Sequence, residues 1–121
     1  MEPQVADIKR IETGARMSRA VIHNGVAYLA GMTAAVKTPD IRAQTRDVLA
    51  GIDKRLAELG TDKSRLLTAQ IWVKNIKEDF AGMNEVWDAW VAQGNAPTRA
   101  TAECPIALPE ILVEIIVTAA V

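Results

Sequence analysis

The sequence predicts an α+β domain in which two helices pack on one face of a mixed six-stranded sheet. Three observations lead to this fold class. Short apolar segments of the kind that form strands lie in both halves of the chain, two longer segments carry apolar residues three and four positions apart, and turn residues separate them. The 121 residues contain no repeat and no linker, so residues 1–121 are expected to form a single domain.

The first half of the chain is expected to contain three strands and one long helix. The strands are predicted at 8–12, 19–22 and 26–30. Asn24 and Gly25 form a two-residue hairpin signal, because both residues tolerate positive φ. Asp40 opens an amphipathic pattern that runs to Leu59, and Gly60 is expected to stop this first helix.

The second half is expected to contain the other helix and three more strands. The strands are predicted at 66–73, 99–104 and 112–120. Glu78 and Asp79 suit the positive N-terminal end of the helix, which Gly94 is expected to end. Its predicted apolar stripe is Phe80, Met83, Trp87, Trp90 and Val91. The last strand is apolar on both faces apart from Glu114 and Thr118, so a second layer is expected to cover it, and another subunit could supply that layer.

Charge and apolar content exclude several classes of partner. The formal net charge is -1 and no basic block occurs, which argues against general affinity for nucleic acid or an anionic membrane. The longest apolar stretch, from Ile111 to Val121, is far shorter than the about 20 residues that span a bilayer. The first residues, 1–4, do not read as a secretory signal, and a cytoplasmic location is expected.

The metal-binding residue types are scarce in this chain. One cysteine, Cys104, and one histidine, His23, cannot supply the ligands of a tetrahedral zinc site. The glycines form no phosphate-binding pattern. Neither a metal nor an organic cofactor is therefore predicted.

Two charged residues stand out as candidates for chemistry. Strand alternation places Arg99, Thr101 and Glu103 on one face of their strand, and Glu114 lies within a run of apolar residues. The planar guanidinium of Arg99 could bind both oxygens of a carboxylate, and Glu114 could act as a general acid or base. The alternative is a structural ion pair, or two separate solvated groups. Asn84, beside the apolar stripe of the second helix, is interpreted as a structural amide that ties down main-chain groups.

Several segments together resemble a known family. They are Ala96–Glu103, Leu108-Pro109, Val113–Ile115, Asp79–Trp87, Gln44–Arg46 and Tyr28–Gly31. In this combination the chain resembles the RidA/YjgF family over nearly its whole length. The resemblance implies a chorismate-mutase-like fold and a homotrimer in which the sheets form an inner barrel, the helices lie outside, and ligand sites lie between subunits.

The resemblance also implies an activity and a set of site residues. The family hydrolyses reactive 2-imino and 2-enamino acids, such as 2-aminoacrylate and 2-iminobutanoate, to 2-keto acids and ammonia without a metal. Arg99 matches the arginine that holds the substrate carboxylate, and Glu114 matches the acidic residue that positions the attacking water. Gly31 and Thr101 match positions whose main-chain groups contact the ligand.

Two positions depart from the family pattern, and one of them is Ala30, which stands where the best-studied deaminases often have serine. Met17 occupies the place of a tyrosine that reaches the ligand in the best-studied deaminases, and the surrounding residues are closer to a YoaB-like subgroup. Three hypotheses follow from the sequence. The first is an imine deaminase acting on a small carboxylate, the second is a regulatory trimer that binds a small carboxylate without turnover, and the third is an endoribonuclease or translation inhibitor.

Overall fold

The structure is a computed structural model that describes residues 7–121. The elements, in chain order, are β1 (Lys9–Thr13), β2 (Ser18–His23), β3 (Val26–Leu29), α1 (Ile41–Glu58), β4 (Leu66–Val73), α2 (Ile76–Trp90), β5 (Thr98–Glu103) and β6 (Val113–Ala120). A short 3-10 helix, Lys63–Arg65, precedes β4 and was not predicted. Every predicted strand is found, with each end displaced by at most one residue, and the α+β class is confirmed.

The six strands form one sheet in the order β1-β2-β3-β6-β4-β5. All neighbouring pairs are antiparallel except β4 and β5, which run parallel with α2 as their connection. The predicted mixed sheet is therefore confirmed. The last strand in sequence, β6, lies at the centre, and β5 lies at an edge with β4 as its one partner.

Both helices bury one stripe against the same face of the sheet. The fully buried residues of α1 include Val48, Leu49 and Ile52, and they join Met83 and Trp87 of α2 in one core cluster with the strands. Removing this apolar surface from water is the main stabilising contribution to such a fold. The predicted arrangement of two helices on one face is confirmed.

Two details of the second helix were predicted wrongly. Phe80 was placed in the apolar stripe, but it is 40% exposed, and Gly82 and Val86 occupy the buried stripe with Met83 and Trp87. Gly94 was expected to end the helix, which in fact ends at Trp90. Gly94 has φ +79° and lies in the turn that follows.

The predicted turn and cap residues have the expected geometry. Asn24 and Gly25 adopt φ of 50° and 77° between β2 and β3, as a tight hairpin turn requires. The side chain of Asp40 accepts a hydrogen bond from the main-chain N–H of Arg42, which satisfies one of the unpaired donors at the start of α1. Gly60, just after α1, has φ +78°.

Gln44 is a buried polar residue whose side chain links three segments through hydrogen bonds. Its side chain is fully buried on α1, and its Nε2 donates to the carbonyls of Thr38 at 2.8 Å and Glu110 at 2.9 Å. Its Oε1 accepts from the N–H of Leu112 at 2.9 Å. One amide therefore connects α1, the loop before it and the segment that leads into β6.

The other face of the sheet is not covered by any described element. Along β6, fully buried residues alternate with half-buried ones, and the half-buried set is Glu114, Ile116, Thr118 and Ala120. Tyr28 and Trp72, on neighbouring strands, are exposed on this face beside Thr118 and Glu114 respectively. We call this surface the open face. Its cover by further copies of the chain in a trimer stays a prediction.

Within residues 7–121, neither helix is both long and apolar enough to cross a lipid bilayer.

Candidate functional site

Arg99 lies at the second position of the edge strand β5, beside Ala69 of β4. Its side chain extends toward α2, where Nη1 donates to Oδ1 of Asn84 at 2.7 Å. The guanidinium carbon lies 5.6 Å from the centroid of the Trp87 ring, which is a cation–π contact. Among residues 7–121, the bond to Asn84 is the one hydrogen bond of the guanidinium, so four of its five N–H donors remain for an anion.

Asn84 is the residue whose role the sequence interpretation missed. It was expected to tie down main-chain groups, but its side-chain oxygen accepts from Arg99. Asn84 and Trp87 are three residues apart on α2, so both reach the same guanidinium from one helix face. The sequence did contain a signal for this contact. Asn84 lies one helical turn before the predicted core residue Trp87, and Arg99 is the one arginine of the predicted strand β5.

The alternation predicted for β5 is confirmed. Arg99, Thr101 and Glu103 all face the helix layer, and Oε2 of Glu103 accepts from the N–H of Ile76 at 3.0 Å at the start of α2. The hydroxyl of Thr101 is buried and has no hydrogen-bond partner among residues 7–121. Buried hydroxyls are nearly always paired, so Thr101, two residues after Arg99, indicates a missing partner.

Glu114 lies on β6 opposite Trp72, on the open face. Gly31 packs directly against its carboxylate: a Cβ atom added to Gly31 would overlap Oε2 of Glu114 and lie 3.3 Å from Cγ1 of Ile116. Gly31 is therefore required by space, since it does not have positive φ. Burial raises the pKa of Glu114 above its ordinary value, because removal from water penalises the charged form.

Within one chain, Arg99 and Glu114 do not meet. Arg99 faces the helices and Glu114 faces away from them, and the two positions align with different residues of β4, Ala69 and Trp72. A 470 Å³ cavity lies on the open face between Gln70, Ile116 and other residues; the Arg99 position on β5 is part of its wall although the guanidinium points toward α2, and Glu114 is not part of this wall. The structure thus gives two half-sites, Arg99 with Thr101 and Glu114 with Gly31.

Met17 lies in the turn between β1 and β2, where its carbonyl accepts from the N–H of Gly14 at 2.8 Å. Its side chain is 49% exposed. Met17 lines neither the cavity at Arg99 nor the smaller one beside Gly31. Its predicted contact with a ligand therefore stays a prediction.

The raised pKa of Glu114 gives a testable effect on stability. Between its unfolded and folded pKa, the native state binds more protons than the unfolded state, so stability falls as pH rises through this window. Glu114→Gln removes the penalty, and we expect the variant to gain stability over the parent at about pH 7.5 and not at about pH 3. Urea unfolding at both pH values measures this difference. Glu110→Gln, at an exposed position, is the control, and an equal change at both pH values would contradict the prediction.

Residues 7–121 contain no group of three or more His, Cys, Asp and Glu side chains that could hold a metal ion.

Comparison with known proteins shows a family match over most of the chain. Residues 7–121 match the sequence profile of the family described as Endoribonuclease L-PSP. A RutC family protein from Haemophilus ducreyi is 46% identical over 114 residues, covering 94% of this chain and 97% of that protein. The RutC family protein YoaB from Escherichia coli is 43% identical over 114 residues, covering 94% of this chain and 98% of that protein.

The fold is similar to that of a solved structure of a YjgF family protein. A crystal structure of a YjgF family protein from Neisseria meningitidis superposes with a TM-score of 0.90 at 46% identity, covering 94% of each chain. The two proteins are therefore similar in sequence as well as in fold.

Proposed function

Since the chain belongs to the YjgF family, whose sequence profile is described as Endoribonuclease L-PSP, we propose that it hydrolyses reactive 2-imino and 2-enamino acids to 2-keto acids and ammonia. Membership in the YjgF and RutC family supports a role in processing small molecules. The observation that carries the finer proposal is the guanidinium of Arg99, which Asn84 and Trp87 hold in place while four of its five N–H donors make no hydrogen bond among residues 7–121.

Arg99 is proposed to bind the carboxylate that all these substrates share. A guanidinium can donate two parallel hydrogen bonds to a carboxylate, which fixes the orientation as well as the position of the bound acid. The imine carbon is bonded directly to that carboxylate carbon, so fixing one places the other. Thr101, two residues after Arg99 on the same face of β5, is proposed to contact the ligand through its main-chain groups, as the family resemblance implies.

Glu114 is proposed to handle the water and the protons. In the reaction, a water oxygen bonds to the imine carbon while the carbon–nitrogen double bond becomes single, and that bond then breaks to release ammonia and leave the keto group. The carboxylate form of Glu114 can take a proton from the attacking water, and the carboxyl that results, whose pKa is raised, can give that proton to the leaving nitrogen, while the hydroxyl proton is released as the keto group forms. The missing side chain at Gly31 leaves room for this carboxyl itself, which packs directly against the main chain there.

The two half-sites are proposed to combine between copies of the chain. Arg99 and Glu114 lie on opposite faces of one sheet, so a single copy cannot present both to one small substrate. In a homotrimer, Arg99 and Thr101 of one copy would meet Gly31 and Glu114 of the next. The open face, with exposed Trp72 and Tyr28, offers apolar surface for that association. Met17, at a neighbouring turn, is proposed to contact the side chain of the substrate.

The test is acceleration of imine hydrolysis. 2-Aminoacrylate and 2-iminobutanoate, generated in place by a dehydratase, are followed by the appearance of the keto acid in competition with a semicarbazide trap. We expect the parent protein to accelerate the reaction and Arg99→Gln to lower kcat/KM by about a hundredfold, because the carboxylate no longer positions the imine carbon. Arg46→Gln, an exposed arginine on α1, is the matched control.

Two results would count against the deaminase. Arg99→Gln with the parent's rate would remove the carboxylate clamp from the mechanism. Saturable binding of 2-keto acids with no acceleration for any imine would favour the alternative, a small-carboxylate-binding regulatory trimer.

The family description also names ribonuclease activity. The net charge of -1 gives no general attraction to a phosphate backbone, which makes this a weaker candidate. RNA cleavage by metal-stripped protein that is lost in both the Arg99→Gln and the Glu114→Gln variants would support it.

A further inference from the structure

A cavity of 140 Å³ lies beside Gly31, where the chain leaves β3. Its wall consists of Arg19, Ala30, Gly31, Met32, Thr33 and Arg55. Two arginines from different elements, β2 and α1, therefore line one small space, and no acidic residue among 7–121 is part of its wall.

Arg19 contributes a charge that nothing described balances. The residue is exposed on β2, next to the fully buried Ala20, so its side chain starts on the open face, whereas Arg55 reaches the cavity wall from the helix layer. Its carbonyl accepts from the N–H of Ala30 at 3.0 Å, which holds the strand in place. Among residues 7–121, its guanidinium forms neither a hydrogen bond nor a salt bridge.

Arg55 contributes a guanidinium that is already fixed. Its Nη1 donates to Oε2 of Glu12 on β1 and to Oε2 of Glu58 at 3.0 Å, and its side chain is only 20% exposed. Nε and Nη2 make no hydrogen bond within residues 7–121. The two carboxylates hold the position of Arg55 while part of its fork stays open to another acceptor.

Main-chain N–H groups beside the cavity add hydrogen-bond donors to the two guanidinium groups. The N–H and the carbonyl of Met32 both pair with Ile115, at 2.9 Å and 3.0 Å. The N–H groups of Gly31 and Thr33, on either side, donate no hydrogen bond among residues 7–121. Unpaired main-chain donors near a guanidinium are the usual components of a site for an anion.

Gly31 connects the cavity to the proposed reaction centre. It is part of the cavity wall, and it also packs against the carboxylate of Glu114. Gly31 would therefore be the one residue between a group bound in the cavity and the carboxylate of Glu114.

We propose that this cavity binds the second carboxylate of a dicarboxylic substrate, and that Arg19 selects imino acids with an acidic side chain. The inference rests on the proposed function, in which Arg99 of a neighbouring copy holds the first carboxylate. The volume of 140 Å³ is several times the about 30 Å³ share of one water molecule, which is room for a carboxymethyl or carboxyethyl group. A neutral side chain would leave Arg19 without its partner.

Binding of keto-acid products tests the selectivity without requiring turnover. Titration calorimetry compares 2-oxoglutarate with 2-oxobutanoate on the parent protein, Arg19→Gln and Arg10→Gln, the last being an exposed arginine on the neighbouring strand β1. We expect the parent to bind 2-oxoglutarate about tenfold more tightly, and Arg19→Gln to lose this preference without weaker binding of 2-oxobutanoate. Arg10→Gln should keep the parent's preference.

Kinetic measurements distinguish failure of the proposed deaminase activity from failure of the proposed carboxylate subsite. Imines made from glutamate and from 2-aminobutanoate by an amino-acid oxidase should show the same preference in KM, and Arg19→Gln should remove it with little change in kcat. Selective binding without any hydrolysis would refute the deaminase and leave the subsite. Hydrolysis with equal affinity for both acids, or equal weakening of both by Arg19→Gln, would overturn the subsite alone.

Discussion

Mixing the Arg99→Gln and Glu114→Gln variants is expected to restore imine hydrolysis to a rate well above that of either variant alone. The reason is the placement of the two side chains on opposite faces of one sheet, with Arg99 toward the helices and Glu114 on the open face. If the site lies between copies, a junction with Arg99 from one variant and Glu114 from the other is intact. In a closed ring assembled at random from equal amounts, about one quarter of the junctions have this composition.

The measurement is activity after the two purified variants are unfolded together in urea and refolded. Recovery to about one quarter of the parent's specific activity is the expected value. Each variant refolded alone is the control for spontaneous recovery, and circular dichroism checks that both fold. A mixture that stays as inactive as its components would show that the two groups do not act in one site between copies, and the proposed assembly would fail.

Gln44→Ala is expected to destabilise the fold by about 3–5 kcal/mol, which is a large fraction of the stability of a domain of this size. The substitution removes a buried side chain and leaves the carbonyl of Glu110 and the N–H of Leu112 without partners, while the carbonyl of Thr38 keeps only the N–H of Asp40. Leu112 directly precedes β6, so the same change loosens the strand that carries Glu114. Chemical unfolding gives the free energy, and a loss of deaminase activity should accompany it.

A second variant separates packing from hydrogen bonding. Gln44→Met keeps most of the side-chain volume and loses all three hydrogen bonds, so we expect it to cost about 3 kcal/mol, less than Gln44→Ala. Gln93→Ala, at an exposed position after α2, should leave the free energy of unfolding nearly unchanged. A Gln44→Met variant as stable as the parent would mean that this amide does not hold the two segments together.

The fold was accessible from the sequence because its signals are local. The Asn24-Gly25 turn, the cap at Asp40 and the apolar spacing of α1 each act within a few residues, and each is found where it was predicted. The errors in α2 have the same origin. Phe80 has the spacing of a core residue, but this spacing does not tell how wide a stripe the sheet covers, and Gly82 and Val86 are buried in its place.

The site was only partly accessible, because its contacts join segments far apart in the chain. Alternation correctly placed Arg99 and Thr101 on one face, since that is a property of one strand. The contact of Asn84 with Arg99 depends on how α2 crosses the sheet, which no local pattern encodes. Likewise, the packing of Gly31 against Glu114 joins residues 83 positions apart, and only the register of the sheet brings them together.

The central position of β6 has a consequence for how the molecule is made. This strand comes after every other element in the chain, yet it joins β3 to β4 and so connects the two halves of the sheet. During synthesis, the edge of β3 in the β1–β3 meander and the edge of β4 in the β4–α2–β5 unit therefore stay unpaired until β6 emerges from the ribosome. Such sequence-distant pairing slows folding and leaves the nascent chain open to intermolecular strand pairing.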